Sequence, residues 1–175
     1  MRGFARVSRR EDGYDPEQVD DFFTRARDVD GGIDETAVRQ AAFDLVPAGY
    51  DPEQVDLALD RLEESHTRRR RQQTVAEGGD ESWRNHLDGL TESLLPRLGR
   101  PERERFVRAR TTGYAAPAVD AFLGRVEDYL ETGEGLRAED VRSVTFPPAQ
   151  GKKAYDEAVV DVYLDRVVEV VLARA

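Results

Sequence analysis

Cysteine is absent from the 175-residue chain, so disulfides, thiolate nucleophiles and cysteine-ligated metal centres are excluded. Only two histidines occur, His66 and His86, and neither stands at metal-ligand spacing or beside a nucleophile motif. No catalytic residue, no metal and no cofactor are therefore expected. Lysine is nearly missing too: Lys152 and Lys153 are the only two, and arginine supplies the rest of the 26 basic residues. Those cations are outnumbered by 36 acidic residues for a net charge of -10, which opposes nonspecific nucleic-acid binding. No run approaches the roughly 18 apolar residues of a membrane helix, and Met1-Arg2-Gly3-Phe4-Ala5-Arg6-Val7 is not followed by the apolar stretch of a signal peptide. A cytoplasmic protein is expected. Gly31-Gly32 and Gly78-Gly79 lack the strand before and the helix opening after that a phosphate loop requires; they read as turns, and no small-molecule substrate is expected.

What the sequence does contain is a repeat. Gly13-Tyr14-Asp15-Pro16-Glu17-Gln18-Val19-Asp20 recurs residue for residue as Gly49-Tyr50-Asp51-Pro52-Glu53-Gln54-Val55-Asp56. Two looser copies follow, one with Tyr114, Val119 and Asp120 and one with Tyr155, Val160 and Asp161. After each Val-Asp comes one variable residue and a pair at fixed register: Phe22-Phe23, Ala58-Leu59, Phe122-Leu123 and Tyr163-Leu164. An arginine falls eleven positions after every tyrosine, as Arg25, Arg61, Arg125 and Arg166, and one phenylalanine precedes each tyrosine: Phe4, Phe43, Phe106 and Phe146.

Helix chemistry accounts for the motif. Asp15 and Asp51 stand at N-cap positions ahead of a proline suited to a first helical turn, with Gln18 and Gln54 where a capping-box partner belongs. Val19, Phe22, Phe23 and Ala26 then follow i, i+3, i+4, i+7 spacing and predict one apolar stripe per copy. Upstream, Asp34 is placed to cap a short helix carrying Val38, and a similar helix is expected over 136–144 before Pro147 and Pro148. Each tyrosine reads as a packing anchor, and each repeat aspartate as a carboxylate favoured near a helix start. The four arginines either pair with a repeat aspartate of a neighbouring copy or cover the stripe with their stems.

A unit this small cannot bury its stripe alone. The tyrosines at 14, 50, 114 and 155 group the copies into two close pairs, so the expected organisation is repeats one and two over 1–67, a polar linker over 68–81, and an amphipathic helix followed by repeats three and four over 82–175. The linker carries Arg68 to Arg71, read as a solvated run. The extra helix bears Trp83, Leu87, Leu90, Leu94 and Leu95 on one face. The fold class expected is all-α: tandem helix-loop-helix copies packed in two pairs, plus that extra helix. The last helix is apolar on more than one face. Val159, Val162 and Val170 form a second stripe that either packs on the Trp83 helix or makes an interface.

These residues resemble a known family. A phenylalanine, a short Gly- or Pro-containing loop, Gly-Tyr-Asp, Val-Asp and an aromatic-Leu pair look like the N-terminal domain of DivIVA, the bacterial cell-division and pole-organising protein. Tandem copies in one short chain resemble actinobacterial DivIVA-domain repeat proteins. Residues 141–167 match best, with Ala154 in place of the usual glycine. The resemblance implies a paired domain whose inter-helix loops present basic and apolar residues. Arg9 and Arg10, Arg108 and Arg110, and Lys152 and Lys153 occupy those loops here, whereas 44–48 has no cation. No copy continues into sustained heptads, so lattice assembly is not expected. The implied function is a noncatalytic scaffold or binding module acting on a protein partner or by self-association, with peripheral attachment to the inner face of the cell membrane as the alternative.

Overall fold

The stretch around each repeat tyrosine is extended backbone, and the computed structural model, which describes residues 3–27 and 33–175, pairs these stretches between copies. In chain order the elements are β1 (Asp12–Tyr14), α1 (Pro16–Arg27), α2 (Glu35–Arg39), β2 (Leu45–Pro47), α3 (Pro52–Glu92) and α4 (Leu95–Leu98). They are followed by β3 (Thr112–Ala115), α5 (Ala116–Thr132), α6 (Ala138–Arg142), β4 (Pro148–Gln150), a 3-10 turn over Gly151–Lys153, β5 (Ala154–Tyr155) and α7 (Glu157–Arg174). The Gly31-Gly32 pair read as a turn lies outside the described residues.

Strands β1 and β2 form an antiparallel pair with Gly13 opposite Val46, and β3 lies between β4 and β5 in a three-stranded antiparallel sheet. The expected all-α class is thereby corrected to mixed α/β, since 62% of the described residues are helical and 11% are in strands of these two sheets. The reason is physical. Strands of two to four residues are too short to show a period-two alternation, and their hydrogen-bonding partners belong to the next copy, out of reach of any local pattern.

The chain divides into two compact units, Met1–Arg70 with the first two copies and Arg71–Ala175 with the last two. The boundary along the chain, after Arg70, falls inside the stretch 68–81 read as a linker, and that stretch is helical. Its Arg, Gln, Glu and Ala residues are good helix formers that need little tertiary cover. Gly79 alone departs from helical geometry there, with φ 75° and ψ 178°, so α3 is two helical segments across a kink.

Asp34 caps α2 by accepting from the Ala37 amide at 2.8 Å, and Asp156 caps α7 by accepting from the Val159 amide at 3.3 Å. Asp15 and Asp51 accept from the Glu17 and Glu53 amides at 2.9 and 3.1 Å. Gln18 does not close a capping box. Its amide group exchanges two hydrogen bonds with Asp44 of the second copy, at 2.7 and 2.8 Å. Gln54 likewise accepts from the Ala5 amide of the first copy.

Val19, Val55, Val119 and Val160 are all fully buried, one at the same motif position in each copy. In the first unit they are joined by Tyr50, with Phe4, Tyr14, Phe23, Phe43 and Leu59 half-buried around them. The second unit has a larger core, in which α5 and α7 bury Phe122, Leu123, Val126, Leu164 and Val167 with Trp83 and Leu90 of α3 and Leu94 just beyond it. The second stripe of α7 is largely absorbed there. Val170 is fully buried and Val159 packs on the core, which leaves only Val162 outside, at 70% exposure. The Tyr163 hydroxyl donates to the Leu94 carbonyl at 3.1 Å, tying α7 to the end of the Trp83 segment. Among the described residues no helix is long and apolar enough to cross a membrane.

Truncating Phe122 to Ala removes a buried ring from this second core and is expected to cost about 3 kcal/mol or more. Urea unfolding followed by Trp83 fluorescence measures it, and a loss below about 1 kcal/mol would show the face to be far more yielding than its burial indicates.

Candidate binding surface

The repeated polar residues are engaged across copies. The Tyr50 hydroxyl of copy two donates to Asp20 of copy one at 3.1 Å, and the Tyr155 hydroxyl of copy four donates to Asp120 of copy three at 3.0 Å. The reverse partners also meet, Tyr14 with Asp56 and Tyr114 with Asp161. Each pair of copies thus exchanges tyrosine for aspartate in both directions. The rings follow the same rule: Phe4 meets Tyr50, Phe43 meets Tyr14, Phe106 meets Tyr155 and Phe146 meets Tyr114, edge-on or tilted, with centroids 5.2–5.5 Å apart. Four backbone hydrogen bonds complete the crossing. The amide after each tyrosine donates to the carbonyl after the partner copy's phenylalanine, Asp51 to Ala5, Asp15 to Asp44, Ala115 to Pro147 and Asp156 to Val107.

The motif glycine follows from this crossing. A Cβ at Gly13 would fall on the Tyr50 carbonyl oxygen and one at Gly113 on the Tyr155 carbonyl, with Ala109 Cβ only 2.7 Å away. The strands approach too closely for a side chain there.

Among the described residues, Arg25, Arg125 and Arg166 engage groups other than the repeat aspartates. Arg25 lies 3.7 Å from exposed Asp21, Arg166 pairs with Glu169 at 2.6 Å, and Arg125 covers the Phe122 ring. Two other ion pairs are embedded instead: Arg39 with Glu63 at 2.8 Å and Arg105 with Glu127 at 2.9 Å. No repeat of residue type or spacing marks either pair.

The six loop cations part company. Arg108 is half-buried, lies 5.2 Å over the Tyr155 ring and donates to the Arg103 carbonyl, so it is a packing residue. Arg110, Lys152 and Lys153 are exposed, and the Gly151 amide donates to the Thr111 carbonyl at 3.1 Å, which brings the loops of copies three and four side by side as one basic edge. Arg9 and Arg10 are exposed at the turn before β1, in the first unit, beside a β2 whose Leu45 is also exposed. Among the described residues, no group of three or more His, Asp or Glu is placed to hold a metal ion.

Burial raises the pKa of all six tyrosines above the ordinary value of 10. For Tyr155 the rise reaches about 12; burial leads, the Arg105 amide opposes it, and the Asp120 carboxylate adds to it. Burial likewise lifts Asp56, against the Tyr14 hydroxyl that holds it down.

No protein-family model, no curated protein and no solved structure matches this chain.

Two outcomes are expected of the tyrosine exchange. Tyr155→Phe removes the donor to buried Asp120 and the acceptor of the Arg105 amide, and should cost about 1–3 kcal/mol, more than Tyr50→Phe, whose partner Asp20 is exposed. Denaturation of both variants measures the difference, and equal losses would contradict the buried role of Asp120. The second outcome is alkaline. Because the folded tyrosines hold their protons to higher pH than the unfolded chain, their stabilisation is complete below pH 10 and is lost as pH rises through the folded values, near 12 for Tyr155. Tyrosinate absorbance should therefore appear later in the native protein than in urea, and stability should fall over that window.

Proposed function

We propose that the chain is a noncatalytic binding module, a scaffold related to bacterial cell division or polar growth that acts through protein-protein contact. The observation carrying this reading is the reciprocal tyrosine-aspartate exchange. The titratable groups that the repeat supplies four times over are spent on joining copies, so each pair offers its outer helix and loop surfaces for contact. The resemblance to DivIVA supports it. In that family two copies of the domain meet as a dimer, and here two copies of the motif meet within one chain.

A second reading, peripheral attachment to the inner face of the cell membrane, is favoured by the basic edge of Arg110, Lys152 and Lys153, where each cation adds about 1 kcal/mol near an anionic surface. The net charge of -10 opposes it.

Cosedimentation with anionic vesicles at low and moderate salt, run beside a pull-down from the source cytoplasm, separates the two. The expected result is a chain that stays in the supernatant at moderate salt and retains a protein partner. Salt-sensitive pelleting that Lys152→Glu with Lys153→Glu removes would establish the membrane reading instead.

A further inference from the structure

The motif position eight residues after each tyrosine carries an aromatic in three copies, and each of these rings meets the phenylalanine of its partner copy. Phe22 lies 5.7 Å from Phe43, Phe122 6.0 Å from Phe146 and Tyr163 5.3 Å from Phe106. In copy two the position is Ala58. A groove of about 800 Å³ lies there in the first unit, lined by Phe4, Phe23, Tyr50, Ala58 and Leu62, with the exposed Arg27 and Arg61 also on its wall.

The second unit shows how the same face is closed. Phe106, Leu123, Tyr155, Val167 and Val170 stand at the motif positions of Phe4, Phe23, Tyr50, Leu62 and Ser65, and all five are buried. The cover is the amphipathic segment from Trp83 to Leu98. Trp83, Leu90, Leu94 and Leu98 share a core with those residues, the Leu94 carbonyl accepts from Tyr163, and Arg97 lies 5.4 Å over the Phe106 ring. In the first unit Phe4, Phe23 and Leu62 are only half-buried and Ser65 is exposed. The residues that line this face thus match a covered one in position, lack one ring, and carry two cations beside the Asp20 carboxylate, which accepts from the Tyr50 hydroxyl.

We infer that this groove is a docking site for an amphipathic helix of a partner protein, with a large apolar anchor filling the space left at Ala58 and carboxylates set against Arg27 and Arg61. Charge complementarity fixes the flanks of that helix, and the precedent within the chain fixes its stripe. The covering segment is itself acidic: residues 80–98 contain Asp80, Glu81, Asp88 and Glu92 against Arg84 and Arg97. The inference rests on the reading of the chain as a protein-binding module and names the kind of partner that module takes.

The probe is a fluorescein-labelled peptide of residues 80–98 titrated into the full chain and followed by anisotropy. Saturable binding is expected. Ala58→Phe, which places in copy two the ring that copies one and three already carry, should weaken it by about 10-fold or more, and Arg61→Glu should weaken it and flatten its salt dependence. Melting curves of both variants confirm that the fold is retained. An unbound probe, or binding that Ala58→Phe leaves unchanged, overturns the groove. A wild-type dimer that Ala58→Phe converts to monomer overturns the foreign partner by making a second copy the occupant. Pull-downs keep the two readings apart. Wild type and Ala58→Phe that capture the same partners sink the groove and leave the module reading standing, whereas a wild type that captures none sinks that reading as well.

Discussion

Every feature of either unit depends on one constraint: no copy of the repeat is complete without the other. A tyrosine hydroxyl, a phenylalanine ring and a backbone amide all cross to the neighbouring copy, and the same three groups cross back. An isolated copy would leave an aspartate without its hydroxyl donor, a strand with open hydrogen-bonding groups, and a valine stripe facing water. The two-copy unit satisfies all three at once. That is why the motif glycine, tyrosine and aspartate are each found where they are, and why the small sheets are sheets at all.

The two pairs spend this common frame differently. In the second unit Asp120 is buried and receives the Arg103 amide at 2.7 Å in addition to the Tyr155 hydroxyl, while Arg105 lies buried beside it and reaches Glu127. The burial of Asp120 is tolerable because its carboxylate has these two donors, and among the described residues the Arg105 guanidinium is held through Nη2 alone. In the first unit Asp20 is exposed and the core around Val19 and Val55 is small. One pair is thus built as a closed body and the other as a body with an open face.

Much of this was legible in the sequence. The four copies, their grouping in twos, the caps at Asp15, Asp34 and Asp51, and the valine at the centre of each stripe all follow from spacing and residue type. The strands were not legible, because a segment such as Ala154–Tyr155 is two residues long and its partner, β3, lies some forty residues earlier. Nor was the role of Gln18, whose capping-box position is matched locally but whose hydrogen bonds go to Asp44. The fixed spacing of tyrosine and aspartate within a copy was visible; that each finds its partner in the other copy is a property of pairing, which one copy's sequence does not encode. Arg108 shows the same limit, since a cation in a loop reads as solvent-facing until the Tyr155 ring beneath it is seen.

The last helix closes the second unit with a contact at its far end, where the Arg174 guanidinium donates to the Tyr129 and Leu130 carbonyls at the end of α5. Seen from the ribosome, this places the two pairs on different schedules. Copies one and two are complete once about seventy residues have emerged, whereas the core built on α5 stays uncovered until α7 has left the exit tunnel. During that interval Phe122, Leu123 and Val126 lack the α7 side chains that bury them in the finished unit.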